Sequence, residues 1–216
     1  GKVMANRKML VFDMDGVLLD SEPLHASSMH RILRENGVTE MPDASLTVGK
    51  SSYIIWTNLQ EKYGLPGTPA TLLNQQYTYL LEEMAARNVP VSEGLVDLLQ
   101  ECKEKWMLLG VASSSNRVLV DGTLKHLGIG SYFDVTVAGD EIPEKKPNPA
   151  VYLKAIEKAG VRPEEALAIE DSATGLLAAS RAGIPAVGYR NPTSGNQDLS
   201  NSIGIVDRLA EVRKYL

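Results

Sequence analysis

The sequence feature that most constrains this chain is the stretch from Met9 to Asp20. It begins as a short apolar run with valine and phenylalanine, which is typical of a buried strand. Asp13 and Asp15 follow where this strand ends, and residues two apart on a strand point to the same face. An ordinary Asp/Gly turn explains the pattern when it stands alone, since Gly16 comes next. Two carboxylates that share a small volume repel each other, however, and a cation such as Mg2+ or a shared proton relieves that repulsion.

Composition narrows the class of protein. The chain has 216 residues, of which 44% are hydrophobic, so it can bury one good core or a core with a small second domain. Its formal net charge of −5 leaves no basic excess to neutralise nucleic-acid phosphates, so no nucleic-acid partner is expected. A small anionic substrate is still allowed, because a local site can be positive on an acidic protein.

Cysteine content and the lengths of the apolar runs bear on the cellular compartment of the protein. Cys102 is the single cysteine, so no internal disulfide can form, and its helical setting predicts a buried structural thiol. No apolar run approaches the roughly 20 residues of a membrane span, so no membrane partner is expected. Residues 1–8 are polar and basic with no apolar core behind them, which predicts no signal peptide. We therefore expect a cytoplasmic protein.

Between residues 21 and 88 the pattern predicts helices and no strand. Ser21 and Pro23 fit the start of a first helix, and Gly37 fits its end. Two further helical stretches are predicted at residues 50–63 and 71–87. Three successive helices without a strand predict a small helical bundle.

From residue 89 the pattern changes to alternating strands and helices. The predicted strands comprise residues 107–112, 135–138, 166–169 and 185–189. The predicted helices comprise residues 92–106, 116–127, 148–159, 172–182 and 206–215. Residues 192–196 are interpreted as a plain loop.

This alternation predicts an α/β fold with a doubly wound, Rossmann-like parallel sheet covered by helices on both faces. Residues 1–20 and 89–216 would form this core, and residues 21–88 would form a helical cap domain inserted after the first strand. Ligands of such sheets lie beyond the carboxyl ends of the strands. The polar residues at those ends are therefore the candidate site residues.

Ser113, Ser114, Ser115 and Asn116 follow the second predicted strand. They fit a serine turn and a helix N-cap, which are structural roles. Hydroxyls and successive N–H groups at a helix start also bind anions, and the two roles are compatible.

Two lysines follow the third predicted strand. Pro147 and Pro149 stiffen this segment just before a helix, so it could hold one lysine against a phosphate as a fixed positive charge. Lys146 is the better candidate because it abuts Pro147, and Lys145 is expected to face solvent.

Glu170 and Asp171 follow the fourth predicted strand. Asp171 or Ser172 could simply cap the next helix. Together with Asp13, however, two more carboxylates at this edge would complete a metal site of hard oxygen ligands.

Four motifs in this order resemble those of the haloacid dehalogenase superfamily. They are Phe12-Asp13-Met14-Asp15-Gly16-Val17, Ala112-Ser113-Ser114-Ser115, Lys146-Pro147-Asn148-Pro149 and Ile169-Glu170-Asp171-Ser172. The resemblance covers nearly the whole chain, including the helical insert. The chain is most similar to the branch that contains sugar-phosphate phosphatases and β-phosphoglucomutases.

The resemblance implies a mechanism and a cofactor. Asp13 would attack phosphorus and form an aspartyl-phosphate, and Asp15 would act as acid and then base. Mg2+ would be held by the Asp13 carboxylate, by the Asp15 backbone carbonyl and by Asp171. Glu170 would be a further ligand or would contact one of the ligands. The groups that would grip the phosphate oxygens are Ser113, the Ser114 backbone and Lys146.

The resemblance also bears on the substrate. An aspartate at position 15 favours a phosphate ester, because haloacid dehalogenases and phosphonatases lack it. In the cap, His25 matches a hinge histidine of β-phosphoglucomutases. A second interpretation fits equally well, in which His25 is an ordinary polar residue on a half-buried helix. Lys50 and Asn116 are further candidate substrate contacts. The expected partner is a small phosphorylated metabolite, and because a cap must move to admit it, we expect a monomer.

Alternatives remain open at this point. Mutases carry a cap arginine in a Gly-x-x-Arg pattern, but here the matching segment is Gly49-Lys50-Ser51-Ser52, which favours a phosphatase that hydrolyses a small phosphorylated sugar or polyol. A β-phosphoglucomutase-type phosphomutase is the runner-up. A non-catalytic phosphate-binding module and a phosphate-accepting signalling domain are weaker alternatives, because the first would be expected to have lost one of the site residues and the second needs no helical insert.

Overall fold

The computed structural model describes residues 6–216, and residues 1–5, on which part of the signal-peptide prediction rests, lie outside this range. The chain divides into two compact units. We call the residues up to Glu22 together with Val89–Leu216 the α/β unit, and Pro23–Asn88 the helical unit. Within the described range, no helix is both long and apolar enough to cross a bilayer.

Fourteen helices and strands make up the described chain, besides short 3-10 segments. In order they are β1 (Met9–Phe12), α1 (Glu22–Glu35), α2 (Ala44–Thr47), α3 (Ser52–Tyr63), α4 (Pro69–Ala86), α5 (Leu95–Glu104), β2 (Leu108–Ala112), α6 (Arg117–Leu127), β3 (Val135–Val137), α7 (Ala150–Ala159), β4 (Ala166–Glu170), α8 (Ala173–Arg181), β5 (Ala186–Tyr189) and β6 (Gly204–Val206).

The α/β unit contains one sheet of six parallel strands in the order β3-β2-β1-β4-β5-β6, flanked by helices. All four residues of β1 are fully buried, as expected for an apolar central strand covered on both faces. The predicted α/β parallel-sheet fold is confirmed.

The register of the central strands places their ends side by side. Phe12 in β1 pairs with Val111 in β2 and with Ile169 in β4. Parallel strands run in the same direction, so the residues that follow these three positions leave the sheet at one edge. This edge is where the sequence predicts the site.

The predicted helix at residues 206–215 is wrong in its first part. Val206 ends the edge strand β6, and a 3-10 helix covers Leu209–Tyr215. The strand forms by parallel pairing with β5, and Gly204 lies directly against the Tyr215 hydroxyl, where any Cβ atom would overlap it. A strand of three residues that contains a glycine shows no alternation from which it could be predicted.

The helical unit contains four helices rather than the three that the sequence predicts. The additional helix α2 has a single turn, and the Asp43 side chain caps it by accepting a hydrogen bond from the Ser45 backbone N–H (2.9 Å). The last helix begins at Pro69 and not at residue 71, because Thr68 and Thr71 form a capping box around its first turn.

A buried hydrogen-bonded pair joins the helices of the helical unit. Trp56 on α3 is fully buried, and its Nε1–H donates to Gln76 Oε1 on α4 (2.7 Å). The Gln76 amide nitrogen in turn donates to the His25 backbone carbonyl on α1 (3.0 Å). Apolar side chains pack around the pair, namely Ile32, Leu33, Leu59, Leu65 and Leu72.

We predict that Trp56→Phe lowers the free energy of unfolding by about 1–3 kcal/mol, because it leaves the buried Gln76 oxygen without a donor. Urea denaturation followed by circular dichroism measures the change. The matched control is Trp106→Phe, since the Trp106 side chain is 93% exposed, and it is expected to change stability by less than about 0.5 kcal/mol. Equal effects of the two substitutions would contradict the prediction.

Candidate active site

The candidate site lies at the edge of the sheet where β1, β2 and β4 end. The Asp13 N–H donates to the Ile169 carbonyl (3.0 Å), and the Ser113 N–H donates to the Val137 carbonyl (3.0 Å). The backbone ladder therefore continues one residue past the strands and holds both polar residues in place. Ladder bonds of this kind fix backbone position more firmly than a free loop does.

Lys146 joins three strand ends. Its Nζ donates to Asp13 Oδ1 after β1 (3.0 Å), to Glu170 Oε1 at the end of β4 (2.7 Å) and to the Ala112 carbonyl at the end of β2 (2.9 Å). The Lys146 side chain is only 7% exposed. Burial acts to lower the pKa of Lys146, but the two carboxylates outweigh it and the pKa lies above its ordinary value.

The segment around Lys146 is shaped by its local sequence. The Asn148 N–H donates to the Lys145 carbonyl (3.0 Å) and closes a turn, and the Asn148 side chain accepts from the Ala150 N–H (2.9 Å). Pro149 is the N-cap residue of α7. Proline lacks an N–H, and at this position the helix has no acceptor for one, so no hydrogen bond is lost. As expected, Lys145 is exposed while the Lys146 side chain is buried.

Glu170 is completely buried between Lys146 and Tyr152. The Tyr152 hydroxyl donates to Glu170 Oε1, the oxygen that also accepts from Lys146. The second oxygen, Oε2, has no hydrogen-bond partner among the described residues. Burial, together with the nearby charge of Asp13, raises the pKa of Glu170 from 4.5 to about 8.

Asp171 is buried next to the same group. Its Oδ2 accepts a hydrogen bond from the Ser194 hydroxyl (2.6 Å). Burial and the neighbouring charges of Asp13 and Glu170 raise the pKa of Asp171 from 3.8 to about 9. Three carboxyl groups and one ammonium group thus share a space from which water is largely excluded.

The donor set fits a hard divalent cation. Asp13, Glu170 and Asp171 each offer a carboxylate oxygen, and these oxygens lie within 4.8 Å of one another. The unpartnered Glu170 Oε2 is a buried acceptor of the type that a metal ion satisfies. Oxygen ligands of this type suit Mg2+.

Asp15 is oriented separately from the three-carboxylate cluster. Its Oδ1 accepts from the Ser21 hydroxyl (2.8 Å), and its Oδ2 accepts from the Ser115 hydroxyl (2.9 Å). The Asp15 carboxylate is therefore not one of the clustered oxygens in the described residues. A metal contact through the Asp15 backbone carbonyl stays a prediction.

The serine segment after β2 is a folded turn. The Ser113 hydroxyl accepts from the Ser115 N–H (3.0 Å), and the Ser115 carbonyl accepts from the Gly139 N–H (2.7 Å). The Ser114 backbone lies so close to Gly139 that a Cβ at position 139 would overlap it. Asn116 is the N-cap of α6, and its side chain accepts a hydrogen bond from the Leu119 N–H (2.9 Å). This contact is a structural role, that of capping the helix.

His25 and Lys50, the remaining candidates, belong to the helical unit. His25 is half-buried on α1, and Lys50 is exposed just before the N-cap residue of α3, Ser51. Their roles toward a substrate stay predictions.

Three residues at the site escape the sequence analysis as candidates: Ser21, Tyr152 and Ser194. Ser115 is a candidate only for anion binding, and the sequence does not predict its bond to Asp15. Tyr152 lies in the first turn of α7, six residues after Lys146. Ser194 lies in the segment interpreted as a plain loop, and no spacing in the sequence connects it with Asp171.

Comparison with known proteins identifies relatives along most of the chain. The phosphorylated carbohydrates phosphatase of Thermotoga maritima is 30% identical over 187 residues, which cover 81% of each protein. The fructose-1-phosphate phosphatase YqaB of Escherichia coli is 30% identical over 182 residues, which cover 84% of this chain and 95% of YqaB.

Solved structures and a family model agree with these matches. A variant of CbbY from Rhodobacter sphaeroides in complex with xylulose 1,5-bisphosphate has a TM-score of 0.87 and 25% identity, and the match covers 95% of this chain and 96% of that one. The family model described as haloacid dehalogenase-like hydrolase matches residues 10–189. This range runs from β1 to the end of β5 and includes all four predicted motifs, and the chain accordingly belongs to the haloacid dehalogenase-like hydrolases.

Proposed function

We propose that this hydrolase is a Mg2+-dependent phosphatase that acts on a small phosphorylated sugar or polyol through an aspartyl-phosphate. The observation that carries the proposal is the buried Lys146, which bonds Asp13 and Glu170 beside Asp171. At one sheet edge, Asp13 would supply the nucleophile, Lys146 a fixed positive charge and the three carboxylates the metal ligands. The names of the relatives support phosphorylated carbohydrates as the substrate class.

In the first step, a carboxylate oxygen of Asp13 forms a bond to phosphorus as the ester P–O bond breaks. The Met14 N–H (2.9 Å) and Lys146 both donate to Asp13 Oδ1, so the carboxylate is held in one orientation before the reaction. Asp15 gives its proton to the leaving alcohol oxygen. The products of this step are the free alcohol and the phosphorylated Asp13.

In the second step, Asp15 takes a proton from a water molecule as the water oxygen attacks phosphorus. The bond between phosphorus and Asp13 breaks, which releases phosphate and restores both aspartates. Ser21 and Ser115 hold the Asp15 carboxylate through one oxygen each, so they orient this group in both steps.

Asp13, Glu170 and Asp171 would hold Mg2+, with the Asp15 backbone carbonyl as a further ligand. The ion supplies positive charge that offsets the charge on the transferring phosphoryl group. The Ser113 hydroxyl, the Ser114 N–H and Lys146 would bind the other phosphate oxygens, and the helical unit would serve as the cap that recognises the alcohol. Cys102 is a free, buried cysteine, and free cysteines are typical of proteins in the reducing cytoplasm, which is the location we propose.

We predict that Asp13→Asn lowers phosphate release by about 1000-fold or more, because the amide cannot act as the nucleophile. The measurement is inorganic phosphate release, with Mg2+, from a panel of sugar, polyol and nucleotide monophosphates. Asp121→Asn, a change of the same type at an exposed position, is the control and keeps full activity.

Absence of release from every ester by the unsubstituted protein would overturn the phosphatase proposal. Isomerisation of β-glucose 1-phosphate in the presence of a bisphosphate would then favour the phosphomutase.

We predict that Asp15→Asn separates the two chemical steps. An activated ester such as 4-nitrophenyl phosphate has a leaving group that needs no proton, so Asp13 is still phosphorylated, but water is no longer activated. Rapid mixing should show a burst of one nitrophenolate per enzyme followed by slow turnover, and mass spectrometry should find one added phosphoryl group. A uniformly slow reaction without the burst would contradict the role of Asp15 in the second step.

We predict that the metal-free protein loses stability as pH rises. The folded-state pKa values of Glu170 and Asp171 lie above their ordinary values, at about 8 and about 9. Their contribution to stability is thus fully present below the ordinary values of 4.5 and 3.8 and is lost as pH rises through the raised ones. Mg2+ binds the deprotonated carboxylates, so it should stabilise the protein more at high pH.

Urea denaturation at about pH 5 and about pH 8, with EDTA or with Mg2+, checks this dependence. Asp171→Asn removes one titrating group and should flatten the change with pH. A metal-free protein that is more stable at about pH 8 would contradict the prediction.

A further inference from the structure

The segment from Asn191 to Gln197, which follows β5, is bound to the candidate metal site by its side chains. The Ser194 hydroxyl donates to Asp171 Oδ2 (2.6 Å). The Asn191 side-chain amide donates to the carbonyl of Gly16 (2.9 Å), within the turn that follows Asp13 and Asp15. The segment therefore contacts one carboxylate of the cluster and the turn that follows Asp13 and Asp15.

Further hydrogen bonds hold this segment in shape. The Gln197 side chain accepts from the Ala173 N–H at the start of α8 (3.1 Å) and donates to the Ser194 carbonyl (2.9 Å). The Thr193 hydroxyl bonds the carboxylate of Asp20 and the side-chain oxygen of Asn191. Hydrogen bonds of the residues before and after Ser194 therefore fix its position, so the segment is not a free loop.

Asp171, Ser194 and Gly16 meet at one point. A Cβ atom at Gly16 would overlap the Asp171 carboxylate and would lie 3.0 Å from the Ser194 hydroxyl oxygen. Gly16 also has a φ of +78°, a conformation that residues with side chains rarely adopt. The close approach of three chain segments at this point is therefore built into the backbone.

Asp171 borders a cavity on the side of the segment. The cavity has a volume of about 250 Å3 and is lined by Asp171 and by residues of the segment and its flanks, including Asn191, Pro192 and Gln197. On this side the Ser194 hydroxyl supplies a directed hydrogen bond to the Asp171 carboxylate.

We propose that Ser194 is a positioning residue for Mg2+: its hydroxyl holds Oδ2 of Asp171 and so fixes the orientation in which this carboxylate would meet the ion. This inference rests on the proposed function, since it needs Asp171 to be a metal ligand. Carboxylates that bind metals are usually held by a second hydrogen bond, and loss of that bond typically weakens metal affinity 10–100-fold. The segment interpreted from the sequence as a plain loop thereby becomes part of the metal site.

The test measures Mg2+ binding itself, by isothermal titration calorimetry on the full chain without substrate. Ser194→Ala should bind Mg2+ about 10-fold more weakly, and Ser194→Thr, which keeps the hydroxyl, should bind close to the unsubstituted protein. Ser202→Ala is the matched control, because among residues 6–216 the Ser202 hydroxyl bonds the Leu199 carbonyl (2.7 Å) and no residue of the candidate site. Circular dichroism melts of each variant verify that it is folded.

A second readout separates positioning from a general loss of structure. With Ser194→Ala, the Mg2+ concentration for half-maximal phosphatase activity should rise by the same factor, while kcat at saturating Mg2+ stays near its original value. Mg2+ binding by a folded Ser194→Ala protein equal to that of the unsubstituted protein would overturn the role of Ser194 alone. No Mg2+ binding by the unsubstituted protein would overturn this inference together with the proposed metal site.

Discussion

The structure of the site depends on the buried contact between the Lys146 ammonium group and the carboxylates of Asp13 and Glu170. Charged groups leave water at a large cost, which only close pairing and further hydrogen bonds offset. Lys146 meets this condition because all three of its N–H donors have partners, the third being the Ala112 carbonyl. One side chain therefore ties together the ends of β1, β2 and β4, and its own position is set by the proline-rich turn before α7.

The arrangement of the sheet makes this contact available. β1 lies at the centre of the sheet between β2 and β4, although β2 follows it only after the whole helical unit. Parallel strands in register bring Asp13, Ser113 and Glu170 to one edge, and residues distant in sequence become neighbours. Small residues then allow the close approaches. Gly175 in α8 lies against the Glu170 carboxylate, and a side chain there would occupy the same space.

The parts of this protein that the sequence predicts are those governed by short-range patterns. Buried strands appear as apolar runs, and residues that directly follow such runs lie at the carboxyl edge, so Asp13 and Asp171 can be placed together without a structure. Lys146 lies further from its strand, and the motif resemblance is what assigns it to the same edge. The contact between Ser194 and Asp171 spans 23 residues and depends on how a loop folds back, which no periodic pattern encodes. The strand β6 is missed for a related reason, since its three residues gain their strand geometry from pairing with β5 and not from local preference.

The charge balance of the site has a consequence for substrate binding. Asp13, Glu170 and Asp171 carry up to three negative charges when ionised, and Lys146 neutralises only one of them. A phosphate monoester brings about −1.5 to −2 further charge at neutral pH. The metal-free site avoids repulsion between these charges by holding protons, because the pKa values of Glu170 and Asp171 are raised to about 8 and about 9. A divalent cation at the three carboxylates would displace those protons and offset the charge of both the carboxylates and the ester. On the proposed function, Mg2+ thus lets ionised carboxylates and a phosphate ester share one space before any bond to phosphorus changes.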